Sequence, residues 1–211
     1  EVGLPHRLMA RLSLAEGEEL QVRHPQPLSS LSHVRAKLYG HRLDEIRLGH
    51  IIADIADGRY SDVDIAAFVS AFAAQPAQGE ETAALTRAML AAGDRLEWNT
   101  DRVMDKHCVG GLPGNRTTPI VVSIVAAAGL TMPKTSSRAI TSPAGTADAM
   151  ETMAPVTLDV AAMQKVVERE GGCIAWGGAV NLSPADDVII GVERVLDIDA
   201  VGQMVASVLS K

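Results

Sequence analysis

The sequence predicts a mixed fold class, α/β plus all-α, in which a small helical domain is followed by a truncated parallel α/β domain. Apolar residues recur at helical spacing through residues 29–96, which indicates a group of short helices. From about Arg102 onwards, short apolar segments alternate with glycine loops and helical segments, as in parallel α/β units. Aromatic residues make up only 3% of the 211 residues while 47% are hydrophobic, so small aliphatic side chains must fill the core. That composition favours helix-on-sheet packing over a β-sandwich.

Residues 29–96 are predicted to form a helical domain of four helices, each with an apolar stripe. The stripes are Leu31, Val34 and Leu38 before Gly40; Leu48, Ile51, Ile52 and Ile55 before Gly58; Ile65, Phe68, Val69 and Phe72 behind an N-cap at Ser61; and Leu85 and Met89 before Gly93. Residues 1–28 contain a His-Pro-Gln-Pro stretch and are interpreted as a linker or as the tail of a preceding domain.

Residues 97–185 are predicted to form an α/β phosphate-binding domain. We expect strands over residues 102–105, 130–134 and 173–176. Helices are expected from Pro119, with Thr118 as the N-cap, then over residues 145–153 and over Val160–Glu170. Residues 186–211, with an apolar segment up to Ile190 and a helix from about Ala200, are interpreted as returning to the helical domain and as truncated at their end.

Two loops in this domain, residues 105–119 and 134–148, are rich in glycine and hydroxyl groups and lead into apolar helices. Glycines let backbone N–H groups approach a ligand, and a helix N-terminus favours negative charge. The first loop is not a Walker A sequence, because Asn115 and Arg116 stand where Gly and Lys are required. Because two loops of this kind are present, we expect a split site for a phosphate and for a phosphorylated or sugar-bearing partner. Its cations are expected in the loops: Lys106, His107, Arg116, Lys134 and Arg138.

The net charge, the cysteine spacing and the length of the apolar runs argue against several other classes of protein. A net charge of −7 is unfavourable for a general nucleic-acid binder. The two cysteines, Cys108 and Cys173, form no metal-ligand spacing, and we expect neither a metal nor a cofactor. The longest apolar run, residues 119–130, is too short to span a bilayer, so a cytoplasmic protein without membrane contact is expected. The chain begins without Met and stops inside a predicted helix, so we interpret it as a fragment.

The two loops resemble those of the thymidine phosphorylase and AMP phosphorylase family. The similarity extends over residues 27–211 and includes Trp176-Gly177-Gly178 and Pro184-Ala185-Asp186. It implies a nucleoside phosphorylase-like fold that forms a homodimer or a higher homo-oligomer and closes a cleft over its substrates.

We interpret the pair Asp186-Asp187 as structural, because adjacent residues on a helix do not face one another.

The resemblance also implies roles for individual residues. The residues that would bind phosphate are Lys106, Thr118, Ser136 and Thr146. The residues that would bind a pyrimidine base are Arg194, Ser207 and Lys211. The positions that match the nucleotide site of AMP phosphorylases are Gly111, Ser137, Arg138, Ala139, Ile140, Thr141, Ser142, Thr146, Asp199 and Ser207. Asp199 would be the proton donor, and Asp199 and Lys106 are the candidate catalytic residues.

Two departures from thymidine phosphorylases leave the substrate open. Cys108 replaces a phosphate-binding Ser, and Ser142 replaces a His in the second loop. The implied reaction is phosphorolysis of the N-glycosidic bond of a thymidine-type nucleoside or of a nucleoside 5′-monophosphate such as AMP. The alternatives are a phosphoribosyltransferase of related fold, which needs Mg²⁺, and a catalytically incomplete oligomerisation fragment.

Overall fold

The computed structural model describes residues 3–21, 27–107, 116–138, 144–198 and 200–211, and these residues form a helical bundle joined to a parallel α/β unit. The predicted fold class is therefore confirmed. The helices are α1 (His6–Leu12), α2 (Leu31–Leu38), α3 (Glu45–Ala56), α4 (Asp62–Ala74), α5 (Glu80–Ala92), α6 (Thr117–Ala127), α7 (Thr146–Glu151), α8 (Val160–Glu170), α9 (Pro184–Leu196) and α10 (Val201–Leu209). The strands are β1 (Met132–Ser136) and β2 (Gly172–Trp176).

Helix starts that carry a clear capping signal lie where the sequence predicts them. The Ser61 hydroxyl accepts from the Asp64 N–H at 3.3 Å, and the Asp64 carboxylate accepts from the Ser61 N–H at 3.0 Å. This reciprocal capping box fixes the first turn of α4. Helix α8 begins after Asp159, whose carboxylate accepts from the Ala162 N–H at 2.7 Å, and ends at Gly171 in the left-handed region.

The bundle core is built from two separate stretches of the chain, α2 to α5 and α9 to α10. Phe68 and Phe72 of α4 lie at its centre, with ring centroids 4.7 Å apart. Ile189 of α9 and Ala206 of α10 are fully buried in the same core, so the C-terminal helices pack against α3, α4 and α5. Helix α1 has no buried residue and lies outside this core.

A buried ion pair ties α2 to α5. Lys37 donates from Nζ to Glu81 Oε2 at 2.6 Å, and both side chains are less than 5% exposed. Glu81 also accepts from the Leu43 N–H at 2.8 Å, and the Lys37 ammonium lies 4.8 Å from the centre of the Phe72 ring. Both charges are therefore compensated inside the core, as a buried pair requires.

Strands β1 and β2 are parallel, with Met132 opposite Gly172 and Ser136 opposite Trp176. Alternate residues of β2 face opposite sides of this sheet. Ile174 packs with Val122 of α6, while Ala175 packs with Met163 of α8. Helices thus cover both faces, and the two strands end together at one edge.

Three predicted elements differ in detail. The strand predicted over residues 102–105 is a single parallel bridge between Val103 and Thr131, and the strand predicted over 130–134 begins two residues later. The apolar segment predicted after Pro184 is part of a continuous helix, α9. Pro at its first turn and the i, i+4 pair Ala185 and Ile189, both buried in the bundle, explain why this segment is helical.

The chain passes between the bundle and the α/β unit twice, after α5 and before α9, and these two segments are in contact. Asp94 donates from its backbone N–H to the Asn181 carbonyl at 3.0 Å. A Cβ atom at Gly93 would lie only 1.9 Å from the Leu182 carbonyl oxygen. Glycine is therefore required where α5 passes the entry to α9.

The buried ion pair gives a stability prediction. Replacing Glu81 with Ala leaves the Lys37 ammonium without its carboxylate in a site that is 3% exposed, so we expect a loss of about 3–5 kcal/mol in unfolding free energy. Urea denaturation followed by circular dichroism measures it. Glu80→Ala, at the exposed neighbouring position, is the control and should cost less than about 1 kcal/mol. Equal losses in the two variants would contradict the prediction.

Candidate active site

The candidate site lies at the carboxyl edge of the parallel strands. The bridge at Val103 precedes Lys106, β1 ends at Ser136, and β2 ends at Trp176. Because all three segments are parallel, the residues that follow them emerge on the same side of the sheet. This edge is where open parallel α/β folds bind ligands.

Lys106 and Thr118, two of the predicted phosphate-binding residues, are in direct contact. Lys106 donates from Nζ to Thr118 Oγ1 at 3.0 Å, and Thr118 is 2% exposed. The prediction that Thr118 is the N-cap of its helix is wrong, because α6 begins at Thr117 with Arg116 in the cap position. Thr118 lies in the first turn instead, and this places the ammonium group beside the positive end of the helix.

Asp105, which immediately precedes Lys106, organises a charged cluster. Its Oδ1 accepts from Lys134 Nζ at 2.9 Å, and its Oδ2 lies 3.1 Å from His107 Nε2. The sequence predicts Lys134 in a loop, but it lies inside β1 with a side chain only 4% exposed. Its ammonium is buried under the edge of the sheet, where Asp105 neutralises it. Asp105 thereby anchors the backbone that carries Lys106.

The balance of forces on Asp105 favours its ionised form. Burial by itself would raise the pKa of Asp105, but the hydrogen bonds from His107 and Lys134 and the charge of Lys134 outweigh burial. The pKa of Asp105 is therefore held below its ordinary range.

Ser136 and Thr146 are connected through the backbone beside them. Ala147 donates from its N–H to the Ser137 carbonyl at 3.3 Å, so the start of α7 lies against the end of β1. A Cβ atom at Gly145 would lie 2.5 Å from the Ser137 carbonyl oxygen, so only glycine permits this approach. Ser136 and Thr146 thus lie on either side of the same close backbone contact, at the carboxyl edge of the sheet.

Arg138 is held by carboxylates of α7. Its guanidinium donates to Glu151 through both terminal nitrogens, at 2.6 and 2.8 Å, and to Asp148 Oδ1 at 3.1 Å. The guanidinium carbon lies 4.9 Å from the centre of the Trp176 ring. Arg138 therefore joins α7 to the end of β2, and nothing in the sequence predicts this arrangement.

Ser207 and Lys211 both contact Asp186, which belongs to a pair that the sequence predicts to be structural. Asp186 is fully buried and accepts from Ser207 Oγ at 2.8 Å, from Lys211 Nζ at 2.5 Å and from Gln203 Nε2 at 3.2 Å. Gln203 and Ser207 are four residues apart on α10 and so lie on one face of the helix, and Lys211 follows four residues later, just beyond the helix end.

Arg194, the third residue assigned to base binding, is separate from this cluster among the described residues. It is exposed in the last turn of α9. Eight residues separate it from Asp186, a rise of roughly 12 Å along the helix. Arg194 therefore does not share the acceptor that gathers Ser207 and Lys211.

Several predicted site residues lie outside the described residues: Gly111, Ala139, Ile140, Thr141, Ser142 and Asp199. The same holds for Cys108. Asp105, Asp148 and Asp186, which hold predicted site residues in place, are not themselves predicted as site residues. For Asp148 a signal was present, because it follows Gly145 by three residues, the spacing of a capping carboxylate.

Two features are absent from the part of the chain that the structure describes. No group of three or more His, Cys, Asp or Glu side chains is arranged there to hold a metal ion. None of the helices described has both the length and the apolar composition needed to cross a bilayer.

The described residues therefore form a helical bundle beside a parallel α/β unit, with a lysine, hydroxyl groups and a helix N-terminus at the carboxyl edge of the sheet. Residues 32–93 match the family model "Glycosyl transferase family, helical bundle domain", and residues 100–208 match "Glycosyl transferase family, a/b domain". The chain therefore belongs to this glycosyl transferase family, and the resemblance inferred from the loops is confirmed at the level of the family.

Curated relatives extend this comparison. The chain is 65% identical to a protein of Chelativorans sp. (strain BNC1) and 64% identical to one of Sphingopyxis alaskensis, both named "Putative thymidine phosphorylase". The alignments cover all of this chain but only 42% and 41% of those proteins.

A solved structure shows the same fold. The crystal structure of anthranilate phosphoribosyltransferase from Thermus thermophilus superposes with a TM-score of 0.66 at 22% identity. The match covers 84% of this chain and 54% of that chain.

The Asp105 cluster gives a pH prediction. Because the folded-state pKa of Asp105 is lowered, its stabilisation is present above the unfolded-state pKa of about 3.9 and is lost as pH falls towards the folded value. Asp105→Asn should therefore be less stable than wild type at pH 7, and the difference in unfolding free energy should shrink below about pH 4. Urea titrations at about pH 7 and about pH 3, on either side of that pKa, measure both values. A difference that stays constant or grows towards acid pH would contradict this assignment.

Proposed function

We propose that this chain forms part of a pentosyltransferase that splits an N-glycosidic bond with inorganic phosphate. The observation that carries the proposal is the 3.0 Å contact between Lys106 Nζ and Thr118 Oγ1 at the start of α6. The names of the curated relatives support it. The products would be a free base and either a pentose 1-phosphate or ribose 1,5-bisphosphate, as in nucleoside and nucleotide salvage and catabolism.

In this proposal the sheet edge binds and orients phosphate. Lys106 and Thr118 would contact its oxygens from the side of α6, and Ser136 and Thr146 from the side of β1 and α7. Phosphate then attacks C1′ of the sugar while the bond to the base breaks and positive charge develops on the ring. A held phosphate supplies both the nucleophile and a nearby negative charge, which lowers the barrier.

The departing base needs a proton or a positive charge. Lys211 and Ser207 would contact it, or Asp199 would protonate it. The Lys211 ammonium is bonded to Asp186, which fixes its position and partly neutralises its charge. Its role in base binding is therefore that of an oriented hydrogen-bond donor, and Arg194 would have to approach the base from elsewhere.

The substrate is thymidine-type or a nucleoside 5′-monophosphate, and Arg138 bears on the choice. Its guanidinium donates to Glu151 and Asp148, so a 5′-phosphate would compete with these carboxylates for it. Hydroxyl groups of the second loop would then have to supply more of the 5′-phosphate binding.

The remaining properties that we propose follow from the family resemblance and the composition. The protein would act in the cytoplasm as a homodimer or higher homo-oligomer, on phosphate and a nucleoside or nucleotide, without a cofactor. Nucleic acid and membranes are not proposed as partners, given the net charge of −7.

The phosphate assignment is tested by removing the ammonium. Lys106→Ala should weaken phosphate binding by about 1.5–3 kcal/mol, the scale of a charge-assisted hydrogen bond. Isothermal titration calorimetry with inorganic phosphate measures it. Lys165→Ala removes the same charge from the exposed face of α8 and should leave the affinity unchanged. Equal affinities for Lys106→Ala and wild type would refute the assignment.

Mg²⁺ dependence separates the proposal from its rival, a phosphoribosyltransferase. A phosphorylase should release free base from a nucleoside with phosphate alone and keep its activity in EDTA. A phosphoribosyltransferase would require Mg²⁺ and a pyrophosphorylated sugar, whose charge the metal neutralises. Base release is followed by chromatography with and without EDTA. Strict dependence on Mg²⁺ would replace our proposal with the rival.

Substrate choice is decided by kcat/KM for thymidine and for AMP, measured in parallel on a protein of the relatives' full length. One missing phosphate contact is worth at least about 1.4 kcal/mol, so the two values should differ by at least about tenfold. A ratio near one would mean that neither the hydroxyl loop nor the Ser207 and Lys211 pair discriminates between the substrates.

A further inference from the structure

Asp148 connects two segments that border the proposed phosphate site. Its Oδ2 accepts from the Gly145 N–H at 2.9 Å, immediately before α7. Its Oδ1 accepts from Arg138 Nη1 at 3.1 Å, two residues beyond the end of β1. One carboxylate thus holds the start of a helix and the residues that follow a strand.

The backbone of these two segments is in close contact at the same place. Ala147 donates to the Ser137 carbonyl at 3.3 Å, and a Cβ atom at Gly145 would lie 2.6 Å from the Arg138 carbonyl carbon. Ser136 and Thr146 are each one residue away from these contacts, about 3.8 Å along the chain. Their separation therefore depends on how firmly the two segments are held together.

Asp148 and Glu151 both bind Arg138, but they differ in what else they hold. The Asp148 side chain is 27% exposed and also fixes Gly145, whereas that of Glu151 is 45% exposed and pairs with Arg138. A more exposed ion pair is more strongly screened by solvent. Glu151 therefore offers a matched control, because its substitution removes a charge from the same arginine without releasing the start of α7.

We propose that Asp148 is a positioning residue for the phosphate site, acting through Gly145 and Arg138 to set the spacing of the Ser136 and Thr146 hydroxyls. Its carboxylate does not bind the anion, which it would repel. The two hydroxyls reach one phosphate only when α7 and the end of β1 keep their present separation. The inference rests on the proposed function, since it concerns the affinity of that site.

The test is steady-state kinetics with saturating nucleoside and varied phosphate, on a protein of the relatives' full length as wild type, Asp148→Ala, Asp148→Asn and Glu151→Gln. Asp148→Ala should raise KM for phosphate at least tenfold while kcat changes less than threefold. Asp148→Asn should show a smaller rise, because its amide oxygen still accepts from Gly145. Glu151→Gln should stay within threefold of wild type in both constants.

A merely structural role would give a different result. Loss of folded protein lowers kcat and leaves KM for phosphate unchanged, and that outcome for Asp148→Ala would overturn the inference. If Asp148→Ala does not fold, the same comparison is made with Asp148→Asn, and an unchanged KM overturns it. A wild-type protein without phosphate affinity, measured by calorimetry, would overturn the proposed function itself.

Discussion

The parallel pairing of β1 with β2 is the constraint on which the candidate site depends. In the register that sets Ser136 opposite Trp176, both strands end at one edge, and the bridge at Val103 brings Lys106 to the same edge. An antiparallel partner would send its following loop to the opposite edge. Helices on both faces bury the strands, so ligand access is left at the strand ends.

Three carboxylates hold this arrangement together, and each joins segments that are distant in sequence. Asp105 links the first loop to Lys134 in β1, Asp148 links α7 to the residues after β1, and Asp186 links α9 to α10. In each case the carboxylate forms an ion pair with a cation, which is Lys134, Arg138 or Lys211. The protein thereby fixes the positions of its cations at the cost of part of their charge.

The helical bundle and the α/β unit are coupled where the chain crosses between them. Gly93 approaches the Leu182 carbonyl so closely that a side chain is excluded, and α9 begins directly afterwards with Asp186 in its first turn. The helix that carries Asp186 also buries Ile189 in the bundle core. The position of Ser207 and Lys211 is therefore set by bundle packing, whereas that of Lys106 is set by the sheet.

The sequence by itself determined the features that depend on local chemistry. Apolar spacing and the cap at Ser61 place α4, because capping bonds form between residues three apart in the chain. The two loops rich in glycine and hydroxyl groups, which the sequence indicates as a ligand site, contain Lys106 and Ser136 at the carboxyl edge of the sheet. The division into domains and the residues assigned to substrate binding stay predictions.

Tertiary structure alone decided which charges meet. That Lys134 binds Asp105, that Arg138 binds Glu151, and that Asp186 gathers Ser207 and Lys211 depends on how separate elements are placed against one another. Hydrophobic periodicity specifies which face of an element is buried. It does not specify which charged side chain, roughly 10 to 30 residues away in the chain, comes to lie beside that element. For Asp105 and Asp186, the sequence gives no sign of the donors that they accept from, because packing alone brings those donors to them.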